Sequence, residues 1–347
     1  MENETISSYF YFTLFNSQGL TRYVFFSLGL MLYVSIVFFN TFIIAAIILD
    51  TSLHKPMYIL ISCLSANALY GSFGLFPRLL LDLHSDIHTI SHSACFIQIF
   101  MIYTYASYEF TLLTAMAYDR YIAICQPLQY HSIMTSKWIA LIIAGVWIYP
   151  MFTIGVGVLL AVRLPLCGNK IVKLYCSNWS IVRLSCVSTT VNNLYGFFVA
   201  ATTIFMPFAF ILYTYVQILI ICQRSSSVLY KQKALHTCLP HIVSFANYSI
   251  AMFCEITFSR YKPGELPEIV VTILSLEFLI IPPLLNPLVY GLSFPEIRRK
   301  MSHVASSQAD SPDAAVPDAA SLDGAVLDVA SLSEPGSPEV TSPEADS

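Results

Sequence analysis

The amino-acid sequence predicts an all-α membrane protein, a bundle of seven spanning helices followed by a disordered tail. Three observations predict it. Of 347 residues, 56% are hydrophobic and only 11% charged, against about 25% charged in a soluble domain. Seven windows are apolar over roughly the 20 residues that a helix needs to cross a bilayer. From residue 302 onward the composition changes altogether.

The windows are 24–49, 57–77, 95–118, 138–161, 197–222, 236–256 and 269–292. They divide the chain into an N-terminal segment 1–23, a membrane domain 24–292, a short juxtamembrane helix 293–301 and a tail 302–347. Met1 to Gln18 lacks the basic-then-apolar pattern of a secretory signal, so the first span is expected to act as its own insertion signal. The segment between the fourth and fifth spans is long for a compact domain. The number of spans is odd and the halves show no repeat, which weighs against transporters built from paired repeats. In the tail, Asp313, Asp318, Asp323 and Asp328 recur among Ala, Val, Ser and Pro, a composition that cannot offset its ordering entropy. Ser311-Pro312, Ser337-Pro338 and Ser342-Pro343 could accept phosphate, or the tail is simply a solvated linker.

Residues 301–347 hold nine acids and no Lys or Arg, while residues 1–300 hold all 17 basic residues against twelve acids. The basic residues are scattered over short loops, which excludes a nucleic-acid partner. With the N-terminus outside, nine Lys/Arg fall on the inner side and eight on the outer, a margin at which the positive-inside rule is nearly silent. Orientation rests on two other signals. Asn3-Glu4-Thr5 and Asn178-Trp179-Ser180 are glycosylation acceptor patterns, and Cys167, Cys176 and Cys186 share the long loop, as an oxidising compartment favours.

Charge within the spans is sparse. Asp119-Arg120-Tyr121 ends the third span, and Glu109 lies near its middle; Glu109 and Glu277 are read as the charged groups well inside. An ionisable residue at such depth is expensive and points to function. Pro287 removes a backbone donor from the seventh span and clashes with the preceding turn, and Asn286 beside it could bond the freed carbonyls. Pro207 in the fifth span reads as a plain kink, with a bulge as the alternative. His84, His88 and His92 fall at spacing of four; if helical, they share a face and could bind Zn²⁺ or Cu²⁺. An exposed polar loop with three histidines is the plainer reading, so no metal is assigned.

Five blocks in a fixed order carry a resemblance. Asn40 lies in the first span. Leu53-His54-Lys55-Pro56-Met57-Tyr58 fills the first inner loop. Met116 to Cys125, then Pro127-Leu128-Gln129-Tyr130, closes the third span. Lys233-Ala234-Leu235-His236-Thr237-Cys238 opens the sixth, and Pro283-Leu284-Leu285-Asn286-Pro287-Leu288-Val289-Tyr290 ends the seventh. Over residues 1–300 the chain resembles the odorant receptors among rhodopsin-like G-protein-coupled receptors, with the fish-type branch the nearest match.

The resemblance implies a receptor with no catalysis and no cofactor. It would bind a small odorant from outside and activate a heterotrimeric G protein of the stimulatory, olfactory type, raising cyclic AMP. It would sit in the plasma membrane lipid, N-terminus outside and C-terminus cytoplasmic. The switch would comprise Asp119, Arg120, Tyr121, Tyr215, Asn286, Pro287 and Tyr290. Asn40, Asn67, Glu109 and Asn286 would form a polar network; Asn67 stands where the family carries a second acid, which weakens the case for a sodium site. Disulfides Cys95–Cys176 and Cys167–Cys186 are implied, although sequence alone permits other pairings. The expected pocket takes Tyr103, Ser107 and Tyr108 from the third span, Thr202 and Thr203 from the fifth, and Tyr248, Ser249 and Met252 from the sixth. Ile102 stands where amine receptors carry an acid. The alternatives are a non-olfactory chemosensory receptor, a transporter or channel, which needs a polar path that the spans lack, and an intramembrane enzyme, which needs a convergent catalytic set that is not apparent.

Overall fold

The computed structural model describes residues 9–13, 20–258 and 268–293. The chain divides into two units, Met1–Met301 and Ser302–Ser347; the second, together with Asn3 and residues 294–301, lies outside the described residues. In the first unit the helices run α1 (Leu20–Leu49), α2 (Pro56–His84), α3 (His92–Cys125), the single turn α4 (Tyr130–Ile133), α5 (Ser136–Val162), the short α6 (Asn178–Val182), α7 (Thr190–Ala200), α8 (Met206–Arg224), α9 (Val228–Phe258) and α10 (Glu268–Ser293). Each of the seven apolar windows falls on a helix, with α7 and α8 joined into one fifth span.

Side-chain caps set several of these boundaries. Pro56 occupies the first turn of α2, where its missing N–H costs nothing. The Oγ of Ser91 accepts from the Ala94 amide at the start of α3, and the Oγ1 of Thr135 accepts from Trp138 at the start of α5. Between α7 and α8 the chain makes a π-helical turn, Ala201–Phe205, directly before Pro207. The wider turn accommodates a residue that cannot donate, so Pro207 marks a bulge and not the plain kink.

Among the described residues, four helices are long and apolar enough to cross a membrane by composition: Thr21–Leu49, Pro56–His84, Ser136–Val162 and Thr190–Arg224. The remaining three spans, α3, α9 and α10, carry the buried Glu109, His241, Glu255 and Asn286; α10 keeps a shorter apolar stretch, Leu276–Leu292. Burial agrees. Leu141, Ile148, Phe152 and Leu159 of α5 are exposed, as lipid-facing side chains are, whereas Tyr105, Glu109, Leu112, Leu113, Met116 and Asp119 of α3 are buried.

One end of the bundle carries strands the sequence reading did not anticipate. β1 (Tyr9–Phe12) is the central strand of a three-stranded sheet, antiparallel to β2 (Thr89–Ser91) and parallel to β3 (Lys170–Ile171). Phe10 and Phe12 point inward and Tyr9 and Tyr11 outward, the period of two that a half-buried strand requires. Phe10 and Phe12 pack with Ile90, Ile99, Ile171 and Ile181 around the Cys95–Cys176 disulfide. The second bridge, Cys167–Cys186, closes within the long loop. Both pairings implied by the resemblance form.

Three prolines, Pro282, Pro283 and Pro287, lie inside α10. Each frees the carbonyl four residues earlier, and no water is available in a bilayer to compensate. Neighbouring helices do so instead. Pro282 frees the Phe278 carbonyl, which accepts from the Tyr105 hydroxyl of α3 at 3.0 Å. Pro287 frees the Pro283 carbonyl, which accepts from the Asn40 amide of α1 at 2.9 Å. Gly71 of α2 makes room for this, since a Cβ there would overlap the Tyr105 ring. Tyr105→Phe should therefore cost about 1–3 kcal/mol and lower the thermal midpoint of the detergent-purified protein, while Tyr213→Phe, on an exposed tyrosine, should leave it unchanged.

Candidate functional site: an inner switch beneath an outer pocket

The C-terminal end of α3 carries a fully satisfied carboxylate. Asp119 is buried, and Arg120 donates to its Oδ2 from Nε at 3.1 Å and from the terminal guanidinium nitrogen at 2.5 Å. The Tyr130 hydroxyl of α4 donates to Oδ1 at 2.8 Å. Burial first, and then the Asp119 charge and hydrogen bond, hold the Tyr130 phenol well above its ordinary range. Tyr130 therefore keeps its proton and acts only as a donor here. The guanidinium is thus turned back onto its own helix, and Tyr121 is half-buried beside it.

Tyr215 of α8 does not reach for Arg120. Its hydroxyl meets Nδ1 of His241, a buried histidine of α9. Nε2 of His241 lies 2.8 Å from the Leu113 carbonyl of α3. A carbonyl only accepts, so Nε2 carries the proton; in the neutral imidazole that a buried site favours, Nδ1 then accepts from Tyr215. Two further bonds follow the same seam. The Tyr230 hydroxyl donates to the Ile124 carbonyl and the Tyr248 hydroxyl to the Ala106 carbonyl, each at 2.8 Å. Thus α9 is fastened to α3 at three heights. Tyr290 of α10 is buried next to Ser244 of α9.

Midway, Glu109 is gripped by two amides. Asn67 of α2 donates to Oε2 at 2.8 Å and Asn286 of α10 to Oε1 at 2.7 Å; Asn67 also donates to the Tyr105 carbonyl at 3.2 Å. One expectation is corrected here. Asn286 does not cap the carbonyls freed by proline; Asn40 and Tyr105 do, and Asn286 serves Glu109. Both partners of Glu109 are donors, which makes a carboxylate, an acceptor at both oxygens, the side chain that satisfies them.

The residues expected to line a ligand pocket are brought together only in part. Tyr248, Met252 and Glu255 recur on one face of α9, one per turn, and Tyr248 reaches the α3 backbone at Ala106. The Tyr248 ring meets Phe110 edge-on at 4.9 Å. Ser107 is buried on α3, and the Ser249 Oγ is buried with no hydrogen-bond partner among the described residues. Two expectations change. Tyr108 packs on Trp147 of α5 at 4.4 Å and on Tyr70 of α2 at 6.2 Å, away from α9. Thr202 and Thr203 spend their hydroxyls on the carbonyls of Phe198 and Val199 in their own helix.

Above this face lies a pair the sequence reading missed. Lys173, from the long loop, donates to Oε1 of Glu255 at 2.6 Å. Both side chains are more than nine-tenths buried, at 7% and 9% exposure. Lys173 also reaches the Tyr175 hydroxyl at 3.4 Å and sits 5.1 Å above that ring. Burial, then the Glu255 charge, hold the Tyr175 phenol neutral. Glu255 falls inside the sixth apolar window, and its depth was the signal available; counting Glu109 and Glu277 as the inner charges passed it over. His241 was equally visible as a polar residue in the middle of that window.

The three histidines follow the plainer reading. His84 ends α2, His88 lies in the loop and His92 begins α3 stacked on Phe10 at 4.2 Å, so the three histidines do not share a helical face. Among the described residues no group of His, Cys, Asp and Glu is arranged to hold a metal. Asn178 opens α6, half-buried, with its amide oxygen buried.

Glu109→Gln should be destabilising even though it is isosteric. It places an amide nitrogen against one of two donors and loses one bond, at a cost of about 1–3 kcal/mol. Thermal unfolding of the purified protein would measure it, with Glu109→Leu, which takes the carboxylate acceptor from both amides and leaves that of Asn286 unpartnered, at least as damaging.

Comparison with known proteins bears on this geometry. The olfactory receptor family profile matches residues 28–308. The chain is 34% identical to human olfactory receptor 51I2 over 261 residues, covering 75% of this chain and 83% of that protein. It is 35% identical to human olfactory receptor 6N1 over 285 residues, 81% of this chain and 89% of that protein. With rat olfactory receptor 1 it shares 32% identity over 288 residues, 82% of this chain and 90% of that protein. A seven-span bundle, two bridges at the end that carries β1 and a buried acid–arginine pair at the C-terminal end of α3 accompany this similarity: the chain belongs to the olfactory receptor family.

Proposed function

We propose that the protein is an odorant receptor of the plasma membrane that binds a small organic molecule in the outer half of the bundle and activates a heterotrimeric G protein at its inner face. The observation that carries this reading is the seam between α9 and α3. Three hydrogen bonds, from Tyr230, His241 and Tyr248, hold α9 closed while Asp119 holds Arg120. A ligand acts only by its difference in affinity for two states. Here the states differ in whether that seam is closed. On its opening, Tyr215 loses His241 and becomes available to Arg120, which then leaves Asp119 and faces the G protein. Asn286, Pro287 and Tyr290 provide the loosened segment of α10 that follows.

Orientation follows from chemistry. The two disulfides lie on the face that carries β1, which suits an oxidising exterior; the Asp119-Arg120 end then faces the cytoplasm. Family membership supports coupling to a stimulatory, olfactory-type G protein and a rise in cyclic AMP.

Two substitutions test the reading in cells that report cyclic AMP. Arg120→Ala should abolish the odorant-evoked rise; an unchanged response would count decisively against the switch. His241→Ala removes the Tyr215 and Leu113 bonds together. Each buried bond is worth about 1 kcal/mol, a factor of about five in the balance of states, so ligand-independent cyclic AMP should rise several-fold at equal surface expression.

A further inference from the structure

The buried Lys173–Glu255 pair is a charged feature at the outer end of the pocket, and its geometry defines what it can accept. Lys173 is held rigidly. Three residues beyond it Cys176 is bridged to Cys95 of α3, and the Cys176 amide donates to Oε1 of Gln98 at 2.9 Å. Gln98 in turn donates to the Gly74 carbonyl of α2 at 3.1 Å. The loop therefore delivers the ammonium to Oε1 of Glu255 at 2.6 Å from a fixed anchor. The other oxygen, Oε2, is buried and accepts no hydrogen bond among the described residues. A buried carboxylate oxygen without a donor is costly and calls for an explanation.

Glu255 stands at the top of the α9 face that continues through Met252 to Tyr248, the face the expected pocket uses. Tyr175 of the loop stands beside the pair, and its phenol also hydrogen-bonds the Glu255 carboxylate. A ligand lying along this face would meet apolar and aromatic surface, with the buried Oε2, unpaired among the described residues, at its outer end.

The charge of the pair selects the ligand. An organic cation at Oε2 would meet the Lys173 ammonium, and a carboxylate competing for Lys173 would meet Glu255. A neutral group with an O–H or N–H adds its bond to Oε2 and leaves the pair intact. We propose that Glu255 is the specificity-determining acceptor of the pocket and that the receptor takes neutral hydrogen-bond donors, namely aliphatic and aromatic alcohols and phenols, in preference to matched ethers, amines and carboxylic acids. This rests on the odorant-receptor reading for the place of the pocket.

The test uses the full-length, detergent-purified protein and two matched probe sets. One is hexan-1-ol with its methyl ether, hexylamine and hexanoic acid; the other is 2-phenylethanol with its methyl ether, 2-phenylethylamine and phenylacetic acid. Affinity is read from ligand-dependent thermal shifts, and cyclic AMP is measured in parallel in cells. A hydrogen bond to a charged acceptor predicts that the alcohol binds roughly tenfold or more tightly than its ether. The double variant Lys173→Met with Glu255→Leu removes both charges at once, so it leaves no orphan ion to unfold the protein. It should bring the alcohol-to-ether ratio close to one while the ether still binds. Ethers that match alcohols, charged probes that outrank them, no shift with either alcohol, or a ratio preserved in the double variant would each overturn the inference. The alcohol preference can also be read in the parent protein alone, whatever the variant does. Alcohols that bind as expected but evoke no cyclic AMP would uphold this inference and count against the signalling reading, so the two failures are separable.

Discussion

The architecture depends on how one helix is fastened to another without a hydrophobic force between them. Lipid is as apolar as the helix surfaces, so association in a bilayer relies on close packing and on the few hydrogen bonds available. Between α9 and α3 those bonds come from Tyr230, His241 and Tyr248, each ending on a backbone carbonyl. A carbonyl in an intact helix still has a lone pair free, so the seam can form and part without disturbing the ladder of α3. Such a joint is firm in one state and separable in another, as a two-position device requires. The middle bond carries the most consequence. His241 joins α9 to α3 through one nitrogen and to α8 through the other, so three spans meet at a single imidazole.

The same economy of partners explains α10. Its prolines would be intolerable in isolation, and two of the freed carbonyls are taken by side chains of α1 and α3. That compensation binds α10 to the bundle while leaving its own ladder incomplete. Glu109, gripped from α2 and α10, ties the loosened segment to the centre of α3. The two ends of the bundle are therefore joined through α3, which is buried along most of its length and serves as the post on which the other spans hang.

Much of this was legible in the sequence, and what was not has physical causes. All seven spans could be placed because length and apolarity are set directly by the bilayer. Asp119-Arg120 could be picked out because charge at a span end is rare, and the two bridges followed from the resemblance. Partners across helices were harder. Asn286 was assigned to the freed carbonyls because it is adjacent in sequence, yet the amide that caps Pro283 comes from α1. Tyr108 looked pocket-facing from its place on α3, but a tyrosine ring goes where it finds aromatic partners, and Trp147 and Tyr70 lie on the other side. The β1 strand was hidden by its brevity, though its Tyr-Phe-Tyr-Phe alternation was a true signal. Glu255 was visible as a carboxylate in an apolar window; only the structure brings Lys173 to it from a loop more than eighty residues away in sequence.

The central claim is that the α9–α3 seam is the element whose opening turns the receptor on. Paired spin labels at Leu128 and Gln232, beside the inner ends of α3 and α9, read that opening directly as a distance in the purified, full-length protein. With an activating odorant and G protein bound, the account predicts a population shifted outward by several ångströms, and His241→Ala should populate the same distance without ligand. An unchanged distance distribution in the fully active complex would contradict it.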